Sequence, residues 1–142
     1  MGLMPVRHLL QFTAVVEGTT TIGLLLFPSW IALILLGQSP GTPLGLLLAR
    51  VAGAALLSLS IACWSVSSDV AARAVVSGVV VAVLLYDVLA VALLGYAGAA
   101  LGLRGLALWP AVGVHLVLAA WCIAGLRGTR QGTPAGTAQP AK

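Results

Sequence analysis

The sequence contains very few charged residues, with three acidic and seven basic side chains in 142 residues. Charged residues make up 7% of the chain and hydrophobic residues 61%, whereas about 25% of the residues of a soluble domain are charged. Water would not solvate such a surface, so the composition excludes an ordinary soluble domain and predicts a membrane protein with the lipid bilayer as its partner. The basic residues are scattered, which is typical of topology signals and excludes a nucleic-acid-binding surface.

Recognisable site motifs are also lacking. Cys63 and Cys122 are the two cysteines, and no C-x-x-C or His/Cys cluster accompanies them, so neither a disulfide framework nor a metal site is predicted. There is no phosphate-binding glycine loop, no Ser/His/Asp arrangement, no H-E-x-x-H helix and no histidine pair at haem spacing. The sequence therefore predicts no catalytic residue, and a conventional enzyme is not indicated.

Long apolar runs are what the sequence does contain. Four of them reach the roughly 20 residues that cross a bilayer, and they cover residues 9–36, 44–64, 71–94 and 106–126. Continuous runs favour helices over strands, and short connections place neighbouring helices antiparallel. We therefore predict an all-α, four-helix transmembrane bundle in residues 1–126 and a disordered cytoplasmic tail in residues 127–142. Glu17 interrupts the first run and no cleavage motif follows, so we expect this span to be retained.

The positions of the basic residues predict the orientation. With four spans both termini lie on one side of the membrane, and that side holds five of the seven basic residues, namely Arg7, Arg73, Arg127, Arg130 and Lys142. Basic residues are enriched in cytoplasmic segments. We therefore expect both termini in the cytoplasm and a multi-pass protein of the inner (plasma) membrane.

Four ionisable side chains inside the spans form a candidate intramembrane polar site: Glu17, Arg50, Asp87 and His115. A charge at the bilayer centre costs about 2.5 kcal/mol or more, so each of them needs a partner, water or protonation. Counting 1.5 Å per residue puts Arg50 and Asp87 at one level in the outer half and Glu17 about 8 Å to the inner side of the midplane. The count predicts two polar layers and an ion pair between Arg50 and Asp87.

Each of these residues has a functional and a structural interpretation. Glu17 is either a proton-coupling carboxyl or a structural group, which lies near the lipid headgroups or hydrogen-bonds the nearby threonines Thr13, Thr20 and Thr21. Arg50 and Asp87 either fix helix packing or bind a substrate anion or a quinone headgroup. His115 is either a proton carrier or quinone donor, or a neutral histidine bonded to a neighbouring helix. Stripes of small residues on the second and third spans indicate close helix packing and leave a homo-oligomer open.

The layout resembles the small four-helix bacterial membrane proteins grouped around DoxX. The resemblance covers about residues 9–126 and rests on short elements along the chain: Phe27-Pro28, Ala49-Arg50-Val51-Ala52-Gly53-Ala54, Tyr86-Asp87, Trp109-Pro110 and His115. It implies a four-helix fold and, as in some members, an accessory role in quinone-coupled sulfur oxidation. No catalytic residue is carried over from it.

A second similarity is to the small multidrug resistance transporters, whose first helix carries a membrane carboxyl. The segment Val16-Glu17-Gly18-Thr19-Thr20 is similar to that feature, whereas the third span lacks their glycine-tryptophan pattern.

We predict an accessory or structural component of a larger membrane complex that needs no cofactor. There are two alternatives. One is a small proton-coupled transporter that uses Glu17, and the other is a quinone-linked redox subunit, whose cofactor would be a quinone.

Overall fold

The computed structural model describes residues 4–68 and 73–130. Within these ranges the chain forms five helices and no strand: α1 (Met4–Leu26), α2 (Pro28–Leu36), α3 (Pro43–Ser68), α4 (Arg73–Ala99) and α5 (Leu108–Arg130). Four of them, α1, α3, α4 and α5, are long and apolar enough to cross a membrane. The predicted helical class and the presence of four long apolar helices are therefore confirmed. The part of the predicted tail after Arg130 lies outside the described residues.

The first apolar run forms two helices instead of one. α1 ends at Leu26, and α2 begins at Pro28. Proline has no amide hydrogen and fits the first turn of a helix but not its interior, so the run breaks at this position. The candidate span is consequently Val6–Leu26, which is shorter than the predicted 9–36, and its midpoint falls at Val16.

The end of α2 is held by the connection between α4 and α5. Gly37 terminates α2 in the left-handed conformation with φ 76°, which glycine adopts without steric cost. The Ala107 amide donates a hydrogen bond to the Ile34 carbonyl at 2.9 Å. Gly105 lies so close to the backbone of Leu35 that a Cβ would overlap it. The end of this connection, at Gly105 and Ala107, therefore packs directly on the last turn of α2.

The long helices contact each other chiefly as two pairs, α1 with α3 and α4 with α5. Two hydroxyl groups bond across the first pair. The Thr21 hydroxyl donates to the Gly53 carbonyl at 3.2 Å, and the Ser60 hydroxyl donates to the Ala14 carbonyl at 2.7 Å. Interhelical hydrogen bonds and close packing hold helices together in lipid, where no hydrophobic force drives them together.

The buried core is formed by side chains from all four long helices: Val6, Leu9, Leu10, Ala14, Cys63, Val80, Val83, Leu118 and Cys122. Cys63 and Cys122 are buried free thiols, which is the behaviour of cysteine as a small apolar residue. Many large apolar side chains point outwards, and Leu93 is 68% exposed. An apolar outer surface of this kind suits contact with lipid chains.

Candidate functional site

Three ionisable side chains meet in the interior, one from each of three helices. Glu17 of α1, Asp87 of α4 and His115 of α5 each have an oxygen or nitrogen atom that could bind a metal ion. These three atoms lie within 4.8 Å of one another. Glu17 is 1% exposed and Asp87 0% exposed. Together with Tyr86, which contacts two of them, we call these residues the central cluster.

Hydrogen bonds connect the central cluster across α1, α4 and α5. The Tyr86 hydroxyl donates to Oε2 of Glu17 at 3.2 Å, and Nδ1 of His115 lies 2.8 Å from Oδ1 of Asp87. The rings of Tyr86 and His115 meet edge to face, with centroids 5.4 Å apart. Two consecutive residues of α4 thus bond to different helices: Tyr86 contacts α1, and Asp87 contacts α5.

The central cluster lies near the middle of the candidate spans. The spans containing Glu17, Asp87 and His115 are Val6–Leu26, Ala74–Ala99 and Leu108–Gly128. Glu17 and Asp87 are within one residue of the midpoints, or about 1.5 Å, and His115 is about 4.5 Å away from its own midpoint. All three groups therefore lie at a depth where charge is most costly.

Three buried oxygen atoms in this region have no hydrogen-bond partner within the described part of the chain. They are Oγ1 of Thr13, Oε1 of Glu17 and Oδ2 of Asp87. Thr13 is 0% exposed and lies one turn before Glu17 on the same face of α1. Buried polar groups are nearly always hydrogen-bonded, and leaving one unpaired costs about 1–3 kcal/mol. These oxygens are therefore the atoms that a bound ligand would satisfy.

Arg50 does not belong to the central cluster, and the predicted ion pair with Asp87 is wrong. The Arg50 side chain is exposed, and its Nε donates to the Leu25 carbonyl at 3.4 Å. Asp87 is paired with His115 instead. The reason is helix pairing: α3 packs mainly along α1 and brings Arg50 to the end of that helix, whereas α4 packs along α5.

The predicted separation of Glu17 and Asp87 into two layers is also wrong. It assumed one span up to residue 36, whereas α1 ends at Leu26, which moves the midpoint of that span to within one residue of Glu17. It also ended the third span at residue 94, whereas the helix extends to Ala99, which moves the midpoint of that span to within one residue of Asp87. The threonines do not bond Glu17 either. Thr20 donates to the Val16 carbonyl, and Thr21 donates to the carbonyl of Gly53.

Tyr86 was not found from the sequence as the partner of Glu17. Thr13 was expected to bond Glu17, whereas its hydroxyl has no partner among the described residues. A signal for Thr13 was present, because residues 13, 17 and 21 are all polar and recur at the four-residue spacing of one helix face. Tyr86 gave no such signal, since its contact with Glu17 joins two helices distant in sequence.

Comparisons with family models, with curated proteins and with solved structures find no match to this chain.

The bond between Tyr86 and Glu17 can be tested by its contribution to stability. Tyr86→Phe removes the donor and leaves Oε2 of Glu17 without its partner, so the free energy of unfolding should fall by about 1–2 kcal/mol. Denaturant titration of the purified protein in detergent micelles measures the change. Tyr96→Phe is the matched control, because Tyr96 is 60% exposed and its loss should change little. Equal losses in the two variants would contradict a stabilising bond at Glu17.

Proposed function

We propose that this chain is a small multi-pass membrane transporter that binds a cation at the central cluster. The observation that carries the proposal is a pair of mid-span carboxyl groups, Glu17 and Asp87, each with an oxygen that no described residue bonds. Ionisable residues inside membrane spans are commonly parts of ion pathways. A cluster that only held helices together would be expected to satisfy these oxygens within the protein.

The charge of the central cluster favours a cation over an anion. With both carboxyls ionised, Glu17 and Asp87 carry two negative charges, and His115 can offset at most one of them. Among the residues whose side chains the structure describes, no arginine or lysine forms an ion pair with either carboxyl, and the pair found there is His115 with Asp87. An uncompensated negative charge is costly in a medium of low dielectric constant. A bound cation would remove this cost.

For the arrangement in the membrane, we propose a bundle with antiparallel neighbours and cytoplasmic termini in the inner membrane. The support is the excess of basic residues on the side of the termini and the short connections at residues 37–42 and 100–107. An accessory role in a larger complex is the alternative function, and it predicts co-purification of a partner protein in mild detergent.

Cation flux into liposomes that contain the purified protein tests the proposed transport. Ion-sensitive dyes trapped inside report the entry of Na⁺, K⁺, Mg²⁺, Ca²⁺, Mn²⁺ and Zn²⁺, each offered alone. At least one cation should enter faster than in protein-free liposomes, and Asp87→Asn should slow that entry at least about tenfold, as expected when one charged ligand is lost. Asp69→Asn, at the third acidic residue of the chain, is the matched control. If no cation of the panel enters faster, the chain is not a cation transporter.

A further inference from the structure

We infer that the cation is a divalent first-row transition-metal ion, bound by carboxylate oxygens of Glu17 and Asp87 and by Nδ1 of His115. The inference rests on the proposed function, because it names the cation that the central cluster takes up. Three independent features of the site support it: the chemistry of the donors, their charge and their unsatisfied oxygens.

The donor set combines two carboxylates with one imidazole. Mg²⁺ and Ca²⁺ are bound almost entirely by oxygen, whereas imidazole nitrogen suits Zn²⁺, Fe²⁺ and Ni²⁺. Cys63 and Cys122 do not join the set, so the soft thiolate ligands that select copper(I) are not part of it. The mixed oxygen and nitrogen donors therefore favour a divalent transition metal over the alkaline-earth ions.

Charge balance points to a divalent ion. Two carboxylates and a neutral imidazole bind a divalent ion with a net charge of zero, which is the least costly state in the interior of a membrane protein. A monovalent ion in the same set would leave one negative charge uncompensated. The cluster thus matches a divalent ion in the number of its charges as well as in its donors.

The unsatisfied oxygens supply the atoms that a metal would contact. Oε1 of Glu17 and Oδ2 of Asp87 are buried and have no partner among the described residues. The Tyr86 hydroxyl bonds the other oxygen of Glu17, Oε2, at 3.2 Å. Such a bond from outside the ligand set orients a carboxylate and leaves its second oxygen for the ion. Tyr86 is therefore a positioning residue for Glu17.

The distances require only side-chain movement. The donor atoms lie within 4.8 Å of one another, and two ligands about 2.1 Å from a tetrahedral ion are about 3.4 Å apart. Rotation about side-chain bonds can bring the carboxyls together by the remaining distance of about 1.4 Å. The bond between His115 and Asp87 would then be replaced by two bonds to the ion.

Three protein ligands leave a coordination position open for water. Sites that hold a metal permanently are usually closed by four protein ligands, and an open position allows ligands to exchange. The unpartnered Thr13 hydroxyl lies one turn from Glu17 on the same face of α1, where it can bond such a water. An incomplete set of ligands suits an ion that has to leave the site again.

Electron paramagnetic resonance of Mn²⁺ bound to the purified protein tests the site. The chain has two histidines, so His8→Gln leaves His115 as its only imidazole, provided that the purification tag contains none. We expect this variant to bind Mn²⁺ and its pulsed spectrum to show coupling to nitrogen. Zn²⁺ should displace the Mn²⁺, since it binds such ligands more tightly, and an excess of Mg²⁺ of about a hundredfold should not.

A second variant tests whether His115 is the nitrogen ligand of the bound ion. His115→Gln should lose the nitrogen coupling and bind Mn²⁺ at least about tenfold more weakly, whereas wild type and His8→Gln should behave alike. Mn²⁺ binding without nitrogen coupling in His8→Gln, or equal displacement by Mg²⁺, would overturn the inference even if His115→Gln does not fold.

The flux panel distinguishes this inference from the proposed function. Entry of Na⁺ or Ca²⁺ without any binding of Mn²⁺ would overturn the transition-metal site and leave cation transport standing. Binding of Mn²⁺ with nitrogen coupling, but without flux of any cation, would support the site and overturn transport.

Discussion

Glu17→Gln should abolish the stabilisation of the protein by a bound cation. A ligand that binds the folded state at a hundred times its dissociation constant stabilises it by about 2.7 kcal/mol. Glutamine keeps the size of the side chain and an oxygen that accepts the bond from Tyr86, but it removes the negative charge. We expect the affinity for Mn²⁺ to fall at least about a hundredfold, which corresponds to about 2.7 kcal/mol. Thermal unfolding in detergent micelles, with and without Mn²⁺, measures the stability of the cation-bound and of the cation-free protein.

In the absence of a bound cation, Glu17→Gln should not lower the stability of the protein. Glu17 and Asp87 lie in one buried cluster, and two negative groups in a site of low dielectric constant repel each other. Without Mn²⁺, Glu17→Gln should therefore unfold at the same temperature as wild type or higher. Asp69→Asn is the matched control and should keep the full stabilisation by Mn²⁺. Full stabilisation of Glu17→Gln by Mn²⁺ would show that Glu17 is not a ligand. A variant that is unfolded or clearly less stable than wild type without Mn²⁺ would show that the carboxyl is structural.

Gly105→Ala should lower the free energy of unfolding by about 2–3 kcal/mol. A Cβ at this position would overlap the backbone carbonyl of Leu35 at the end of α2. Backbone atoms cannot rotate away as a side chain can, so the connection between α4 and α5 would have to lift off α2. The hydrogen bond from the Ala107 amide to the Ile34 carbonyl, 2.9 Å long, would be lost with it. Denaturant titration in micelles gives the change.

Gly41→Ala is the matched control for that substitution. Gly41 also lies in a connection between helices, and a Cβ there would meet no atom within 4 Å. Its effect should stay within about 0.5 kcal/mol, as is usual for surface positions. Similar effects of the two substitutions would contradict the close packing of Gly105 on α2.

The helical class and the number of spans were predictable because they depend on local composition. Each long apolar run is continuous, and its length alone indicates a membrane-spanning helix. The proline at position 28 was visible as well, but whether the chain kinks or breaks at a proline depends on what packs beside it. That boundary moved the estimated depth of Glu17, and the extension of the α4 span to Ala99 moved that of Asp87. The two shifts together removed the predicted separation into two polar layers.

The partners of the polar residues were decided by the tertiary structure. All four spans are apolar around most of their circumference, so no amphipathic pattern indicates which face of a helix meets which neighbour. A rotation of about 100° per residue separates the directions of Tyr86 and Asp87, and only the packing of α4 turns one towards Glu17 and the other towards His115. Sequence order suggested α3 as the neighbour of Asp87. Packing of α4 along α5 brought His115 there instead and left Arg50 beside α1, because in lipid the fit of helix surfaces, and not hydrophobic burial, selects the pairs.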